Sequence, residues 1–230
     1  MKIVSISHPS AIELVIREIH KKPILIQLPT VFGLLAAPTS HGAGQLDRAK
    51  MRVSGKNYGT VIGSLKNFIN QAQQNQLPDG FRYPQQYTNL TGAFIRLPFR
   101  DCSFQSKTIR NGTHQGLLMT GRYAVLAQQI EASFASYPPD QLWNYANYCA
   151  PMCTSCNISG DPNGSIVEFD KALRFARDRD IDLFITADKE YSQKGSYPIL
   201  GFEKQRVSIH RDGPGLDSFK MRIPPVLRGW

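Results

Sequence analysis

The chain has no long apolar run. Its longest stretch free of polar side chains, Val31 to Pro38, falls far short of the roughly 18 residues that a membrane helix needs, which excludes a spanning role. After Met1-Lys2 there is neither the sustained apolar core nor the small-residue cleavage site of a secretion signal, so the expected compartment is the cytoplasm. Cysteine is scarce: Cys102 stands alone, and Cys149, Cys153 and Cys156 form a C-x3-C-x2-C group. A reducing compartment argues against disulfides. An iron-sulfur site of the radical type normally heads a long barrel, and only 74 residues follow Cys156. A structural zinc needs a fourth ligand, which only Cys102 or a distant histidine would supply. The favoured reading is cysteines acting as small buried hydrophobes. The histidines His8, His20, His41, His114 and His210 have no ligand spacing, so no metal-binding residue is assigned. Gly42-Ala43-Gly44 lacks the third glycine and the preceding strand of a dinucleotide turn. Internal repeats and low-complexity linkers are also missing.

What is present is an ordinary globular composition with a charge imbalance. The 230 residues are 41% apolar and 20% charged, enough to bury a core without staples. The net charge is +9, and the surplus sits at the two ends. Residues 1–60 hold eight basic and three acidic groups, residues 61–200 thirteen and twelve, and residues 201–230 six and three. If the ends fold onto one face, they make an electropositive site for a polyanion such as a nucleoside triphosphate or RNA; a solvated basic surface is the plainer alternative.

Hydrophobic periodicity predicts interleaved helices and strands. Ser10-Ala11-Ile12-Glu13 reads as a capping box opening a helix over 10–21, with Ile12, Val15, Ile16 and Ile19 on one stripe. Ile24 to Leu28 reads as a buried strand feeding a turn at Pro29-Thr30. Further helices are expected at 45–49, 65–74, 124–134 and 166–179, and further strands at 60–62, 93–97, 116–120, 181–186 and 207–210. Residues 75–89, with no period of either kind, read as a surface loop. This pattern predicts one α/β domain with a mixed sheet over 1–214, and a tail over 215–230 lying along it.

Four short segments carry candidate chemistry: Thr30 to Leu34, Lys50-Met51-Arg52, Ser155 to Gly160, and Ile209 to Gly213. In an extended segment, Lys50 and Arg52 would point the same way roughly 7 Å apart and grip neighbouring phosphates. Judged alone, the basic pair reads as a solvated pair after a helix and the polar run as a plain turn.

Taken together and in order, the segments resemble the YrdC/YciO family, the threonylcarbamoyl-adenylate synthases. That family carries Pro-Thr-x-Thr-Val-Tyr-Gly-Leu, then Lys-Gly-Arg-Pro, later Ser-Ala-Asn-x-Ser-Gly, and finally Leu-Arg-x-Gly. Here Thr30-Val31-Phe32-Gly33-Leu34 matches the end of the first motif, and Lys50 and Arg52 hold the basic places of the second. Ser155-Cys156-Asn157-Ile158-Ser159-Gly160 matches the third with cysteine for alanine, and His210-Arg211-Asp212-Gly213 matches the last with histidine for leucine. The resemblance spans roughly residues 10 to 213.

It implies a twisted mixed sheet with helices around a concave basic cavity. It also implies synthesis of threonylcarbamoyl-adenylate from L-threonine, bicarbonate and ATP with Mg2+, for tRNA threonylcarbamoyladenosine modification. On this resemblance Lys50 and Arg52 hold the phosphates, Ser155 and Asn157 add neutral donors, Ser159 and Arg211 complete the substrate wall, and Thr30 orients the amino acid. Several departures weaken the amino-acid end more than the phosphate end: Gln27-Leu28-Pro29 replaces Pro-Thr and its following residue, Phe32 replaces tyrosine, and Met51 replaces glycine. Two alternatives therefore stand beside the main reading. One is a carbamoyl-adenylate synthase acting on another amine. The other is a non-catalytic module binding tRNA or double-stranded RNA.

Overall fold

The computed structural model describes residues 1–53, 55–189 and 191–230. Its centre is a ten-stranded mixed sheet. In chain order the strands are β1 (Lys2–Ser5), β2 (Ile24–Gln27), β3 (Phe32–Ala36), β4 (Gly59–Val61), β5 (Phe94–Pro98), β6 (Thr113–Leu117), β7 (Met152–Ser155), β8 (Leu183–Thr186), β9 (Ile199–Glu203) and β10 (Arg206–Arg211). Across the sheet they run β1-β8-β2-β3-β7-β4-β6-β5-β9-β10. The pairs β1/β8, β2/β8, β4/β6 and β5/β9 are parallel, and the remaining neighbours are antiparallel.

Successive residues of a strand face opposite sides, so each strand feeds two cores. On β5, Phe94 joins one apolar cluster while Ile95 and Leu97 join the other. The helices α1 (Ala11–Ile19) and α4 (Gly121–Ser133) pack on each other in the smaller cluster, with α1 against β2 and β8. The larger cluster takes residues from α2 (Ser40–Lys50), α3 (Leu65–Ile69), α5 (Phe169–Arg177) and α6 (Leu216–Arg222).

The expected α/β architecture is what the structure has, and several local expectations need correction. Ser10 makes no side-chain cap on α1; its amide and hydroxyl meet His8 Nδ1 instead, so the capping box does not form. The helix expected at 45–49 starts at Ser40, capped by the Thr39 hydroxyl accepting from the Gly42 amide at 3.1 Å. Its glycines hid it from a propensity reading. Gly42 is there because a Cβ would stand 2.3 Å from the Ala37 carbonyl oxygen, where the helix crosses the end of β3.

Residues 75–89 are not a surface loop. They contain 3-10 turns at Asp79–Phe81 and Pro84–Leu90 and bury Leu77, Phe81, Tyr87 and Leu90 in the larger core. Their anchors are too irregularly spaced to show a period. The segment after Gly215, which shows no period in sequence, forms α6 and sends Leu216, Phe219 and Ile223 into the same core.

Candidate functional site

A cavity of about 360 Å³ opens on the α1/α4 side of the sheet, lined by residues of β7, β4, β6, β5 and β9. Strand alternation builds its floor: Gly33, Ser155, Gly59, Arg96 and Gln115 all face the same way, with the register pairing Gly33 to Ser155 and Arg96 to Gln115. At Gly59 a Cβ would come within 2.5 Å of Phe94 Cε1, so the glycine keeps the floor open. The described wall carries six cations, Lys50, Arg52, Lys56, Arg96, Arg110 and Arg211, and no carboxylate.

The two fragments distant in sequence, 50–52 and 155–159, do meet at this cavity. Their geometry differs from expectation. Lys50 is the last residue of α2 and Met51 takes a left-handed backbone with φ of 47°, so Lys50 and Arg52 do not extend in parallel. Lys50 is 1% exposed and turns inward. Its ammonium donates to the Asn157 carbonyl oxygen at 2.7 Å, to Asn157 Oδ1 at 3.0 Å, and to the Ser155 carbonyl oxygen. All three donors are therefore spent on the 155–157 turn. Burial, with the neighbouring Arg52 adding to it, brings the Lys50 ammonium down to about 7.

Around that clasp, the Ser155 hydroxyl donates to Asn157 Oδ1 at 2.7 Å and the Ser159 amide donates to the Lys50 carbonyl at 2.9 Å. Arg52 lies 4.3 Å over the Tyr58 ring and donates through Nη2 to the Asn57 carbonyl at 2.6 Å. Tyr58 in turn donates to Asp47 at 2.7 Å, which also pairs with Lys107. Arg211 folds its guanidinium back onto the Tyr197 carbonyl at 2.6 and 2.9 Å. On the wall, Arg52 Nε and the Ser159 hydroxyl are buried and have no protein partner. Donors left unsatisfied in a cationic hollow are matched by an anionic oxygen ligand.

Thr30 is not brought into this cavity. The loop between β2 and β3 sends Leu28 and Val31 toward the cationic hollow and Pro29 and Thr30 toward a second cavity of about 590 Å³ on its other side. Arg96, Lys56 and Arg110 escaped the sequence reading. Only Arg96 left a signal, as the lone charge inside the apolar run Ala93 to Leu97.

Among the described residues no cluster of three or more histidine, cysteine or acidic groups is placed to hold an ion. Cys153 and Cys156 are buried, and burial pushes both thiols up to about 12. Among those residues too, no helix is long and apolar enough to cross a membrane.

No family model and no curated protein sequence matches the chain. Solved structures do. Sua5 of P. abyssi in complex with L-threonine superposes with a TM-score of 0.71 at 15% identity, over 99% of this chain and 62% of that one. YciO of E. coli gives 0.64 at 11% identity, over 92% and 94%. The fold is theirs. Full-length HypF, solved in a phosphate- and nucleotide-bound form, shares it at a TM-score of 0.62 and 16% identity over 87% of this chain. The chain spans less than two thirds of the Sua5 chain and 28% of the HypF chain.

Proposed function

We propose that the protein is a diverged YrdC/YciO-type nucleotidyltransferase that makes a carbamoyl-adenylate from ATP, bicarbonate and an amine, with L-threonine the first amine to test. The observation that carries this reading is the cationic cavity, whose two unpartnered donors suit phosphate oxygens. The fold shared with a threonine-bound Sua5 and a nucleotide-bound HypF supports it.

The chemistry asks for alignment and charge neutralisation rather than covalent help. The amine adds to the bicarbonate carbon as water leaves, giving a carbamate. A carbamate oxygen then attacks the α-phosphorus and pyrophosphate departs. Arg52, Ser159 and Arg211 are the direct phosphate and carboxylate partners in this reading, with Arg96 supplying further positive charge. Lys50 and Asn157 act mainly through the turn they hold. Among the described residues the cavity wall offers no carboxylate for Mg2+, and in this reading the ion enters on the triphosphate as part of the substrate.

The test is pyrophosphate release with ATP, bicarbonate and a panel of amino acids. Activity is expected in the wild type, with a loss of about 100-fold or more in Asn157→Ala and Lys50→Ala. A second reading, an RNA-binding module, draws on the same cations and the net charge of +9. Binding of tRNA without pyrophosphate release from any amine would favour it.

A further inference from the structure

Arg52 is turned into the cationic cavity by the residues on either side of it. Met51 takes its left-handed backbone, and the Arg52 amide closes back onto the Asp47 carbonyl at 3.0 Å, so the chain reverses at the end of α2. The side chain then crosses the face of Tyr58, its guanidinium carbon 4.3 Å from the ring centre, while Nη2 donates to the Asn57 carbonyl at 2.6 Å. Nε is left without a partner among the described residues. Tyr58 is itself fixed. It is 1% exposed, its hydroxyl donates to Asp47 at 2.7 Å, and its amide donates to the Lys107 carbonyl at 2.6 Å. Asp47 pairs in turn with the Lys107 ammonium at 2.6 Å. Neither Tyr58 nor Asp47 lines the cavity.

The arrangement answers an electrostatic difficulty. Cations gathered on one wall repel one another, and an arginine held by nothing swings out to water. A carboxylate beside Arg52 would hold it but would also take the donors that a ligand needs. A ring face attracts the guanidinium and leaves its donor edge free. The acid stands one step further back, where Asp47 fixes the ring instead of the cation. Resting on the proposed function, we infer that Tyr58 is a positioning residue, whose ring face holds the Arg52 guanidinium with its donor edge toward the phosphates of the nucleotide. It touches no substrate and acts only through Arg52.

Calorimetric titration of the whole protein with α,β-methylene-ATP tests this in a double-mutant cycle. Tyr58→Leu is expected to weaken the analogue about tenfold, and Tyr58→Phe, which keeps the ring, by less than about threefold. Arg52→Ala is expected to weaken it about tenfold or more, and in that background Tyr58→Leu adds less than about twofold, because the ring has nothing left to hold. A role for Tyr58 in packing alone would cost the same in both backgrounds. Melting temperatures report whether each variant folds. Should Tyr58→Leu fail to fold, the decision passes to the proton–nitrogen NMR spectrum of the wild type. There the Arg52 Nε–H signal, assigned by its loss in Arg52→Lys, is expected upfield of the solvent-facing arginines, as befits a guanidinium over a ring face, and moves when the analogue is added. Equal costs of Tyr58→Leu with and without Arg52, a Phe variant as weak as the Leu variant, or an Arg52 signal among the solvent-facing arginines would each overturn the inference. The loss in Arg52→Ala would then still leave the nucleotide site standing. If the wild type binds no ATP analogue, the proposed function fails, and the positioning role fails with it.

Discussion

Lys50 shows how a matched residue takes a different job once its surroundings are known. In sequence it is a basic group sixteen places after Leu34; in the structure its ammonium ties down the turn that carries Asn157 and Ser159. The unpartnered donors are on Arg52 and Ser159 instead. A second residue of this kind is His114 on β6, fully enclosed by Phe68, Phe99 and Trp143, with neither ring nitrogen partnered. Burial lowers its pKa to about 3, so the folded protein keeps it neutral where the unfolded chain takes up a proton. Its stabilising contribution is complete above the ordinary histidine pKa near 6.5 and is lost as the pH falls toward 3. Between pH 7.5 and pH 5 this removes about 2 kcal/mol, and His114→Leu is expected to abolish that part of the pH dependence in urea denaturation curves. An unchanged slope in the variant would contradict the assignment.

At the scale of elements, the ones that sequence reading located are those with a clean period. The α4 stripe and the strands near 93–97, 181–186 and 207–210 were all legible, with boundaries shifted by a few residues. The missed elements have physical reasons. Strand β7 is only Met152–Ser155 and ends in polar residues because it forms the cavity wall, and β3, just after the turn at Pro29-Thr30, was given no element because Gly33 interrupts its apolar run. Helix α6 has seven residues and too little length to show a stripe, yet Ile223 at its end is 1% exposed. Ile223→Ala is expected to cost about 2–5 kcal/mol, seen as a lower denaturant midpoint at unchanged slope. A cost below about 0.5 kcal/mol would mean that the segment lies on the domain without being part of its core.

At the scale of the whole molecule, the fold gathers cations from α2, β5 and β10 and from the loops around them into one hollow whose described wall carries no carboxylate. Such a site attracts polyanions from a distance set by the Debye length, about 10 Å at 0.1 M salt. Salt dependence separates the two functional readings. A single nucleotide meets only a few of these charges, so its affinity is expected to weaken by less than about tenfold between 50 and 200 mM salt. An RNA strand neutralising six phosphates would weaken about 1000-fold over the same range. Fluorescence titrations with an ATP analogue and with tRNA across that range measure both slopes.

Hydrophobic periodicity carried the fold class, and the resemblance of four ordered motifs to a known family carried the meeting of residues 50–52 with 155–159, because residue type and local spacing are written directly in the amino-acid string. Tertiary packing alone decided which of those residues present free donors, since a hydrogen bond from Lys50 to a turn more than a hundred positions away leaves no local trace. It likewise alone placed Thr30 across a partition from the cations: two adjacent loop residues, Thr30 and Val31, point to opposite sides, and only the three-dimensional path of the chain assigns a cavity to each.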